Sequence, residues 1–365
     1  MAQFNVLMFG SRRAGKSTIL SSMIDSFEKL SACNITLTAT EDTEGLLKLK
    51  KQDSEKIFDM KPEDTMKWVI EEIPSQVSDS YEFIMSAPGS DEHMLCFKDI
   101  PGEWLMNNES ELREELKKSQ IIIIAIDTPH LIEENGQHSD AFHITCNVNT
   151  LLAHIKSEED VPRMILFVPI KCEKYYYAGR MQEVVDAIEK QYEDLLTTLR
   201  TGKKKNLYTV AITPILSLGG IVFCDFQRDD KGYVDVIKIQ DSSNPSLYLR
   251  PKAAYYQLYE PDPSFKPKFC EQPVLYVLSF ISMQVKDLET KGRRKYGIFF
   301  RYTLKIVLSL LAITFHATPL LKLIWGDIFM DRKFVQNADQ SIVHLKTTGD
   351  GYIVLQDPMG IQNIN

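Results

Sequence analysis

Short apolar runs alternate with helix-like segments along the first two-thirds of the chain. Two runs carry no polar position and are typical of strands buried on both faces: Ile121–Ile126 and Met164–Val168. A third run, Phe4–Phe9, is apolar except for Asn5 and also predicts a strand. The segments between them show apolar positions three and four residues apart, which predicts helices over Ile19–Leu30, Asp140–Lys156 and Met181–Leu199. This alternation predicts an α/β fold with a mostly parallel central sheet and helices on both faces.

Weaker patterns fill the rest of this part of the chain. Further helices are predicted over Glu41–Asp59 and Ser110–Lys118, and further strands over Cys33–Thr40 and Leu207–Ile212. Tyr81–Met85 alternates and is followed, after a Pro-Gly-Ser turn, by the apolar Met94–Lys98. A strand–turn–strand order of this kind predicts an antiparallel pair.

The pattern changes at Gly219. Ile221–Cys224 and Tyr233–Ile237 are predicted to form short antiparallel strands around Asp229–Gly232. A loop rich in proline and tyrosine, Pro245–Pro273, and an apolar helix, Val274–Leu288, follow. We therefore predict one domain over residues 1–290 that carries an insertion over residues 219–272.

Residues 291–365 are predicted to form a C-terminal extension. A basic linker, Lys291–Lys295, precedes a very apolar helix, Ile298–His316, and an Asp-Gly dipeptide before Tyr352–Leu355 predicts a hairpin with Ser341–Lys346. A membrane span needs about 20 apolar residues, and charged residues interrupt this stretch. We expect the helix to pack on the core or on a partner, with membrane contact through residues 298–325 as the alternative.

Composition narrows the class of protein. The 365 residues carry a net charge of −8, which argues against a general nucleic-acid binder. The six cysteines form no Cys-x-x-Cys pair, and the first strand begins at once, so a cytoplasmic protein with reduced thiols is expected. His138, His143 and Cys146 lie close together, but their spacing fits no familiar metal site.

The strongest chemical signal follows the first apolar run. Gly10–Ser17 has the form G-x-x-x-x-G-K-S between a strand and a helix, which predicts a phosphate-binding loop. Backbone N–H groups at a helix N-terminus form an anion site, Lys16 meets the β- and γ-phosphates, and the Ser17 hydroxyl binds Mg²⁺. The residues predicted to bind the nucleotide here are Gly10, Ser11, Arg12, Arg13, Ala14, Gly15, Lys16, Ser17 and Thr18.

A second motif ends the Met94–Lys98 strand. Asp99-Ile100-Pro101-Gly102 has the form D-x-x-G, which is weak alone but informative one strand pair after a phosphate loop. Asp127, which ends the Ile121–Ile126 run, is the rival carboxylate. Asp99 is preferred because a glycine follows it at the right spacing.

These two motifs and the strand pattern up to Ile212 resemble the translation-factor-related GTPases that include the small Ras-like switches. Finer features resemble the bacterial double-GTPase proteins of conflict and defence systems, namely Asp99–Glu103, Pro169–Glu173, Thr213–Gly220 and a terminal Gly-Asp-Gly-Tyr. The resemblance implies a switch that binds GTP and Mg²⁺, hydrolyses GTP and signals to a protein partner, presumed to be encoded in the same gene cluster.

The resemblance also implies roles near the γ-phosphate. Asp99 would hold a water on Mg²⁺, and the Gly102 N–H would contact the γ-phosphate. A threonine of the first switch loop would bind Mg²⁺, and Thr65 suits this role by its position, with Thr43 as rival. The predicted metal ligands are therefore Ser17, Thr65 and Asp99, and the predicted catalytic residues are Lys16, Thr65 and Glu103.

Hydrolysis also needs a group that orients the attacking water. Glu103 stands where Ras-like switches have a glutamine that orients the attacking water. Its carboxylate can orient or deprotonate water, but its charge repels the γ-phosphate unless Mg²⁺ and Lys16 screen it. Arg12 and Arg13 either add positive charge at the phosphates or point to solvent.

The motif that recognises the base departs from the family pattern. Ras-like proteins have N-K-x-D, and this chain has Ile170-Lys171-Cys172-Glu173. By resemblance, Lys171 stacks on the purine and Glu173 accepts from guanine, while an amide near Ser217 or Leu218 faces the purine oxygen. The asparagine is replaced by Ile170, which leaves guanine specificity open. The alternative is that Lys171 and Glu173 are an ordinary exposed pair.

Three functions remain open from the sequence. The first is a GTPase switch, the second is a nucleotide-binding scaffold with little or no hydrolysis, and the third is an ATP-specific P-loop NTPase. The D-x-x-G motif has no role in the third and so favours the first two.

Overall fold

The computed structural model describes most of the first 280 residues and one late strand. The described residues are 3–10, 15–29, 36–59, 67–71, 78–86, 93–102, 109–154, 162–201, 207–240, 247–259, 267–274, 276–277, 280 and 353–356. The helices are α1 (Lys16–Lys29), α2 (Glu41–Asp59), α3 (Glu109–Lys118), α4 (Thr128–Ile132), α5 (Ala141–His154), α6 (Glu173–Tyr177), α7 (Met181–Gln191) and α8 (Glu193–Thr201). The strands are β1 (Gln3–Gly10), β2 (Thr36–Ala39), β3 (Lys67–Glu71), β4 (Asp79–Ser86), β5 (His93–Asp99), β6 (Ile121–Asp127), β7 (Arg163–Ile170), β8 (Tyr208–Ile212), β9 (Ile221–Phe226), β10 (Val236–Gln240), β11 (Leu247–Pro251), β12 (Ala253–Leu258) and β13 (Ile353–Gln356).

An eight-stranded central sheet organises the chain. Its strand order is β13-β8-β7-β6-β1-β5-β4-β2. The five central strands β5, β1, β6, β7 and β8 are mutually parallel, whereas β4 runs antiparallel to β5 as predicted. Every residue of β6 and β7 is buried, as the unbroken apolar runs required. The predicted α/β fold with a mostly parallel sheet is confirmed.

Helices cover both faces of this sheet. Val6 and Met8 of β1 pack in one apolar cluster with Leu20 of α1. Leu7 and Phe9 point the other way and pack in a second cluster that includes α3, α5, α7 and α8. Because successive strand side chains alternate, one short strand anchors both layers of the core.

The prediction of one long helix over Met181–Leu199 is wrong in one respect. The chain forms two helices, α7 and α8, with Tyr192 between them outside the helical conformation at φ −105° and ψ 18°. The Tyr192 ring is buried and lies 5.1 Å from the ring of Phe167, centroid to centroid. The apolar spacing continues across the break, so the sequence pattern does not reveal it.

The insertion pairs its strands differently from the prediction. β9 pairs with β12 and β10 pairs with β11, while Arg228 and Val234 form only an isolated bridge. Both β11 and β12 fall in the stretch predicted as a proline- and tyrosine-rich loop. Tyrosine also favours strands, and Pro251 ends β11, where a missing N–H is tolerated.

One strand of the insertion sheet comes from far away in sequence. β3, which was not predicted, pairs antiparallel with β12 along all five of its residues. The second sheet therefore has the order β3-β12-β9. The segment between α2 and β4 is tied to the insertion by this pairing.

The C-terminal predictions are described only in part. Residues 274, 276, 277 and 280 of the predicted helix Val274–Leu288 are helical, and β13 pairs antiparallel with β8 at the edge of the central sheet. The basic linker, the helix Ile298–His316 and the strand Ser341–Lys346 lie outside the described residues, and the domain boundary at residue 290 stays a prediction. No helix in the described ranges is long and apolar enough to cross a membrane.

Candidate nucleotide-binding site

The predicted phosphate loop leaves the end of β1 where only glycine fits. A Cβ on Gly10 would lie 2.2 Å from the carbonyl oxygen of Ala125 on the neighbouring strand β6. Gly15 has φ +93°, a conformation that residues with a side chain rarely adopt. The Ile19 N–H donates to the Gly15 carbonyl at 3.0 Å, so the helix begins directly after the loop. The loop therefore leads directly into the N-terminus of α1, and helix N-termini are places where anions can bind.

Lys16 is the first residue of α1, and its exposed fraction is only 7%. A lysine is almost never so buried without an anionic or polar environment. Ser17 and Thr18 follow in the first turn of α1, and their side chains are not among those described. Ser11, Arg12, Arg13 and Ala14 lie outside the described residues.

Asp99 ends β5 beside this loop. In the parallel pair β1–β5 it stands opposite Met8, and the N–H of the next residue, Ile100, donates to the Met8 carbonyl at 3.0 Å. Asp99 and Gly102 are buried. The carboxyl ends of parallel strands meet at one edge of a sheet, so Asp99 and the phosphate loop share that edge.

The two remaining residues predicted near the γ-phosphate, Thr65 and Glu103, lie outside the described residues. Thr43, the rival of Thr65, is described and has a structural role. Its buried hydroxyl accepts from the Glu82 N–H at 2.8 Å and bonds to the Thr40 hydroxyl at 3.0 Å. These contacts fix the start of α2 against β4 and occupy the oxygen, which disfavours Thr43 as a metal ligand.

Lys171 follows β7 at the same sheet edge and is not an ordinary exposed residue. Its side chain is 11% exposed, and its Nζ lies 2.6 Å from Asp127 Oδ2. Its backbone has φ +56°, which is uncommon for a residue with a Cβ. The Lys171 N–H donates to Ser217 Oγ at 3.2 Å, and this bond helps to hold that conformation.

Asp127 contacts both Lys171 and His130. Its Oδ1 lies 2.7 Å from His130 Nδ1, and it accepts from the His130 N–H at 3.4 Å as the cap of α4. Burial alone would raise the pKa of Asp127, but His130 and Lys171 together hold that pKa below its usual range. The carboxylate is therefore ionised, and it fixes the lysine ammonium.

Glu173 is held by the protein itself. It is 1% exposed, and its Oε1 accepts from the N–H groups of Leu218 at 2.5 Å and Gly219 at 3.2 Å. Burial, only partly opposed by these hydrogen bonds, raises the pKa of Glu173 to about 7. The alternative of an exposed Lys171–Glu173 pair is wrong. The Leu218 amide, predicted to face a purine, faces this carboxyl group.

The sequence alone does not reveal the roles of two charged residues, Asp127 and Arg250. Asp127 was weighed only as a rival of Asp99, although a carboxylate that ends a wholly buried strand requires a cationic partner. Arg250 of β11 is 1% exposed, and its charge helps to lower the pKa of Asp127. Burial raises the pKa of Asp140, and the charge of Arg250 opposes that rise only in part. Nothing in the sequence around Arg250 distinguishes it from a surface arginine.

The described part of the chain contains no group of three or more His, Cys, Asp or Glu residues placed to hold a metal ion. His138 instead contacts the Leu249 carbonyl through Nδ1 at 3.2 Å and lies against the ring of Phe226. Burial lowers its pKa. His138 thus joins the core to the insertion.

No protein-family model and no curated protein sequence matches the chain. Among solved structures, it is similar to the Ski7 GTPase-like domain of S. cerevisiae, bound to GDP and inorganic phosphate, at 13% identity and a TM-score of 0.31. The same domain bound to GTP gives 14% and 0.30. Both matches cover 58% of this chain and 43% of the Ski7 chain. This chain therefore spans less than half of the length of the Ski7 chain.

A third solved structure is the signal recognition particle receptor SRb-GTP/SRX complex from Chaetomium thermophilum. It matches at 15% identity and a TM-score of 0.33, over 60% of this chain and 93% of that chain. Likeness at this level carries no information on activity. What the site can do follows from its own residues.

Proposed function

We propose that the chain is a GTP-binding switch protein that hydrolyses GTP with Mg²⁺. One observation carries the proposal. A buried lysine at the N-terminus of α1 follows a strand–loop turn that requires glycine, and a buried carboxylate, Asp99, ends the adjacent parallel strand. A cation, a helix N-terminus and a carboxylate at one sheet edge suit a nucleoside triphosphate bound with a metal ion.

Mg²⁺ fits the residues that this edge presents. It prefers carboxylate and hydroxyl oxygens, and the site offers Asp99 at the end of β5 and Ser17 in the first turn of α1. Ser17, Thr65 and Asp99 would hold it, Thr65 on the ground of its sequence position. When bound, the ion neutralises charge on the phosphate oxygens.

The chain's own residues would then position the reaction. Lys16 binds the β- and γ-phosphates as a point charge, and the Gly102 N–H donates to the γ-phosphate. Glu103 orients the attacking water, which is a task of placement rather than covalent chemistry. Arg12 and Arg13 add positive charge beside the phosphates.

A route for signalling is built into the insertion. Thr65 stands just before β3, and β3 is hydrogen-bonded to β12 of the insertion sheet. A change at Thr65 on nucleotide exchange would therefore act on a strand of that sheet. This connection supports a switch whose nucleotide state alters the surface that a partner binds.

The wider setting is proposed from the resemblance alone. We propose a cytoplasmic protein with a partner encoded in the same gene cluster, within a bacterial defence system. One structural observation favours the ATP-binding alternative, because Glu173 already bonds two protein amides and is less available to guanine. A scaffold with little hydrolysis would bind nucleotide through the same residues.

The nucleotide that co-purifies with the chain tests the proposal most directly. Denatured protein is analysed by ion-exchange chromatography, and turnover of radiolabelled GTP and ATP is then measured with and without Mg²⁺. The proposal expects guanine nucleotide and Mg²⁺-dependent release of phosphate from GTP. Adenine nucleotide alone, or binding without turnover, would favour one of the two alternatives, and no binding at all would refute the proposal.

A further inference from the structure

Two loops at the carboxyl end of the sheet are joined residue by residue. These base-side loops are residues 171–173, which follow β7, and residues 213–219, which follow β8. Lys171 donates its N–H to Ser217, the Cys172 thiol donates to the Ile215 carbonyl at 3.0 Å, and Glu173 accepts from two further amides. Each of the three consecutive residues thus makes a bond to the facing loop.

The facing loop is fixed to the sheet on its other side. The Thr213 N–H donates to the Phe167 carbonyl at 2.9 Å, and the Ile215 N–H donates to the Pro169 carbonyl at 3.0 Å. Beyond Ile215 the Leu218 and Gly219 amides depend on Glu173. The Glu173 side chain therefore holds the Leu218 and Gly219 end of this loop, where the Tyr177 hydroxyl also donates to the Gly219 carbonyl.

The length of the Glu173 side chain matters for this contact. An aspartate would be shorter by one carbon–carbon bond, about 1.5 Å, and could not reach both amides from the same backbone position. Ile170, at the place of the family's asparagine, is fully buried in an apolar cluster, and its side chain has no polar atom that could hold the loop by a hydrogen bond. The longer carboxylate supplies the bracing that the asparagine would otherwise give.

The environment of the second carboxyl oxygen of Glu173 supports a structural role for this residue. Glu173 Oε2 is buried and has no hydrogen-bond partner among the residues that the structure describes. An isolated buried oxygen favours the protonated form of the group. The carbonyl oxygen of a protonated carboxyl group still accepts from both amides, so the tie does not need the charge.

We infer that Glu173 is a positioning residue, which holds the two base-side loops together through the Leu218 and Gly219 amides and does not recognise guanine. The inference rests on the proposed function, because it assigns this loop pair to the base side of the nucleotide site. It predicts that altering Glu173 changes the affinities for guanine and adenine nucleotides by the same factor.

The test uses the full chain with four substitutions: Glu173→Gln, Glu173→Ala, Glu173→Asp and the control Glu183→Gln. Glutamine keeps a carbonyl oxygen at the right reach, whereas alanine and aspartate do not. Glu183 lies on α7 in an exposed ion pair with Arg180, away from these loops. Titration calorimetry with Mg²⁺ and non-hydrolysable analogues of GTP and of ATP gives the ratio of the two affinities, and hydrogen exchange gives the protection of the Leu218 and Gly219 amides.

We expect Glu173→Gln to keep both affinities and both protected amides within about threefold of the unaltered chain, like the control. Glu173→Ala and Glu173→Asp should lose the amide protection and weaken both analogues equally, with the ratio unchanged. A folding defect far from the site would not give this pattern, in which glutamine preserves both affinities and the amide protection while alanine and aspartate lose them. If alanine prevents folding, the glutamine and aspartate variants decide.

Two results would overturn the inference. One is a fall of about tenfold or more in the GTP-to-ATP affinity ratio in Glu173→Gln with ATP-analogue binding unchanged, because Glu173 would then recognise guanine. The other is unchanged amide protection in both shortened variants. If the unaltered chain binds neither analogue, the proposed function fails, and the exchange of the two amides still decides whether Glu173 ties the loops.

Discussion

The phosphate side and the base side of the candidate site lie along one sheet edge but are built in different ways. On the phosphate side, the loop, the glycines and Lys16 are contiguous in sequence, and Asp99 comes from the neighbouring strand β5. On the base side, Lys171 depends on Asp127, and Glu173 depends on Leu218 and Gly219. A contiguous site can be altered with little harm to the fold, whereas an assembled one cannot.

The comparison predicts that a phosphate-side change affects binding far more than stability. Lys16→Ala should lower nucleotide affinity by about 4 kcal/mol, roughly a thousandfold, since a buried charge partner of the phosphates is removed. Alanine is a good helix former, so α1 should persist. Titration calorimetry with a GTP analogue and a thermal melt measure the two effects.

The matched control is Lys190→Ala, which removes an exposed lysine of α7. Its affinity should equal that of the unaltered chain. A folded Lys16→Ala protein with undiminished affinity would remove the main support for a phosphate site at α1.

A second prediction separates catalysis from binding on the phosphate side. Glu103→Ala should slow hydrolysis by about a hundredfold or more, roughly 3 kcal/mol, as expected when one group that orients the attacking water is lost. Nucleotide affinity should change much less. Single-turnover hydrolysis of radiolabelled GTP is the measurement, and an unchanged rate would show that Glu103 takes no part in placing the water.

These two predictions rest on sequence motifs. A phosphate loop can be recognised in a sequence because its residues are adjacent in the chain. Gly10, Gly15 and Lys16 lie within eight consecutive residues. The predicted strand and helix stand directly before and after them. Strands β6 and β7 were predicted for a similar reason, since burial on both faces leaves an unbroken apolar run.

The base side and the insertion could not be predicted in the same way. Glu173 is bonded to amides some 45 residues later in the chain, and backbone amides have no sequence signature. β3 pairs with β12 across a still longer separation, and neither strand has a clear alternation of apolar and polar residues. Contacts of this kind are decided by tertiary packing, which overrides local propensity.

The base side should show a pH dependence that comes from Glu173. The pKa of Glu173 is about 7 in the folded chain against 4.5 for an ordinary glutamate, so the folded protein keeps a proton in this window that the unfolded chain releases. Stability from this group is therefore greatest below pH 4.5 and falls as the pH rises to about 7. The loss amounts to about 3 kcal/mol at most.

Comparison with Glu173→Gln isolates this effect, because glutamine does not titrate and all other groups cancel in the difference. Urea unfolding of both proteins at several pH values gives the free energies of unfolding. Asp127 does not interfere, since its pKa is lowered and its contribution is lost only at more acid pH. A difference between the two proteins that does not change from pH 4.5 to 7.5 would contradict burial of an ionisable Glu173.

The smallest expected effect concerns the contact between the base side and the insertion. Tyr177, at the end of α6, stacks on Tyr259 with ring centroids 4.0 Å apart and planes 8° apart. The Tyr177 hydroxyl donates to the Gly219 carbonyl at 3.3 Å, and the Tyr259 N–H donates to the Gly220 carbonyl at 2.9 Å. This stack therefore braces the same loop that Glu173 holds from the other direction.

Tyr259→Ala should lower the free energy of unfolding by about 1 kcal/mol, the usual contribution of an aromatic pair. Tyr233→Ala, at a tyrosine that is 70% exposed, is the control and should have no measurable effect. A double-mutant cycle with Tyr177→Ala assigns the loss to the stack itself.

Because Tyr259→Ala leaves Lys16 and Asp99 untouched, the affinity for a GTP analogue should stay within about twofold of the unaltered chain, the reverse of the Lys16→Ala result. A large loss of affinity without loss of stability would mean that the Tyr177–Tyr259 contact contributes directly to nucleotide binding, and the division into two independently built sides would fail.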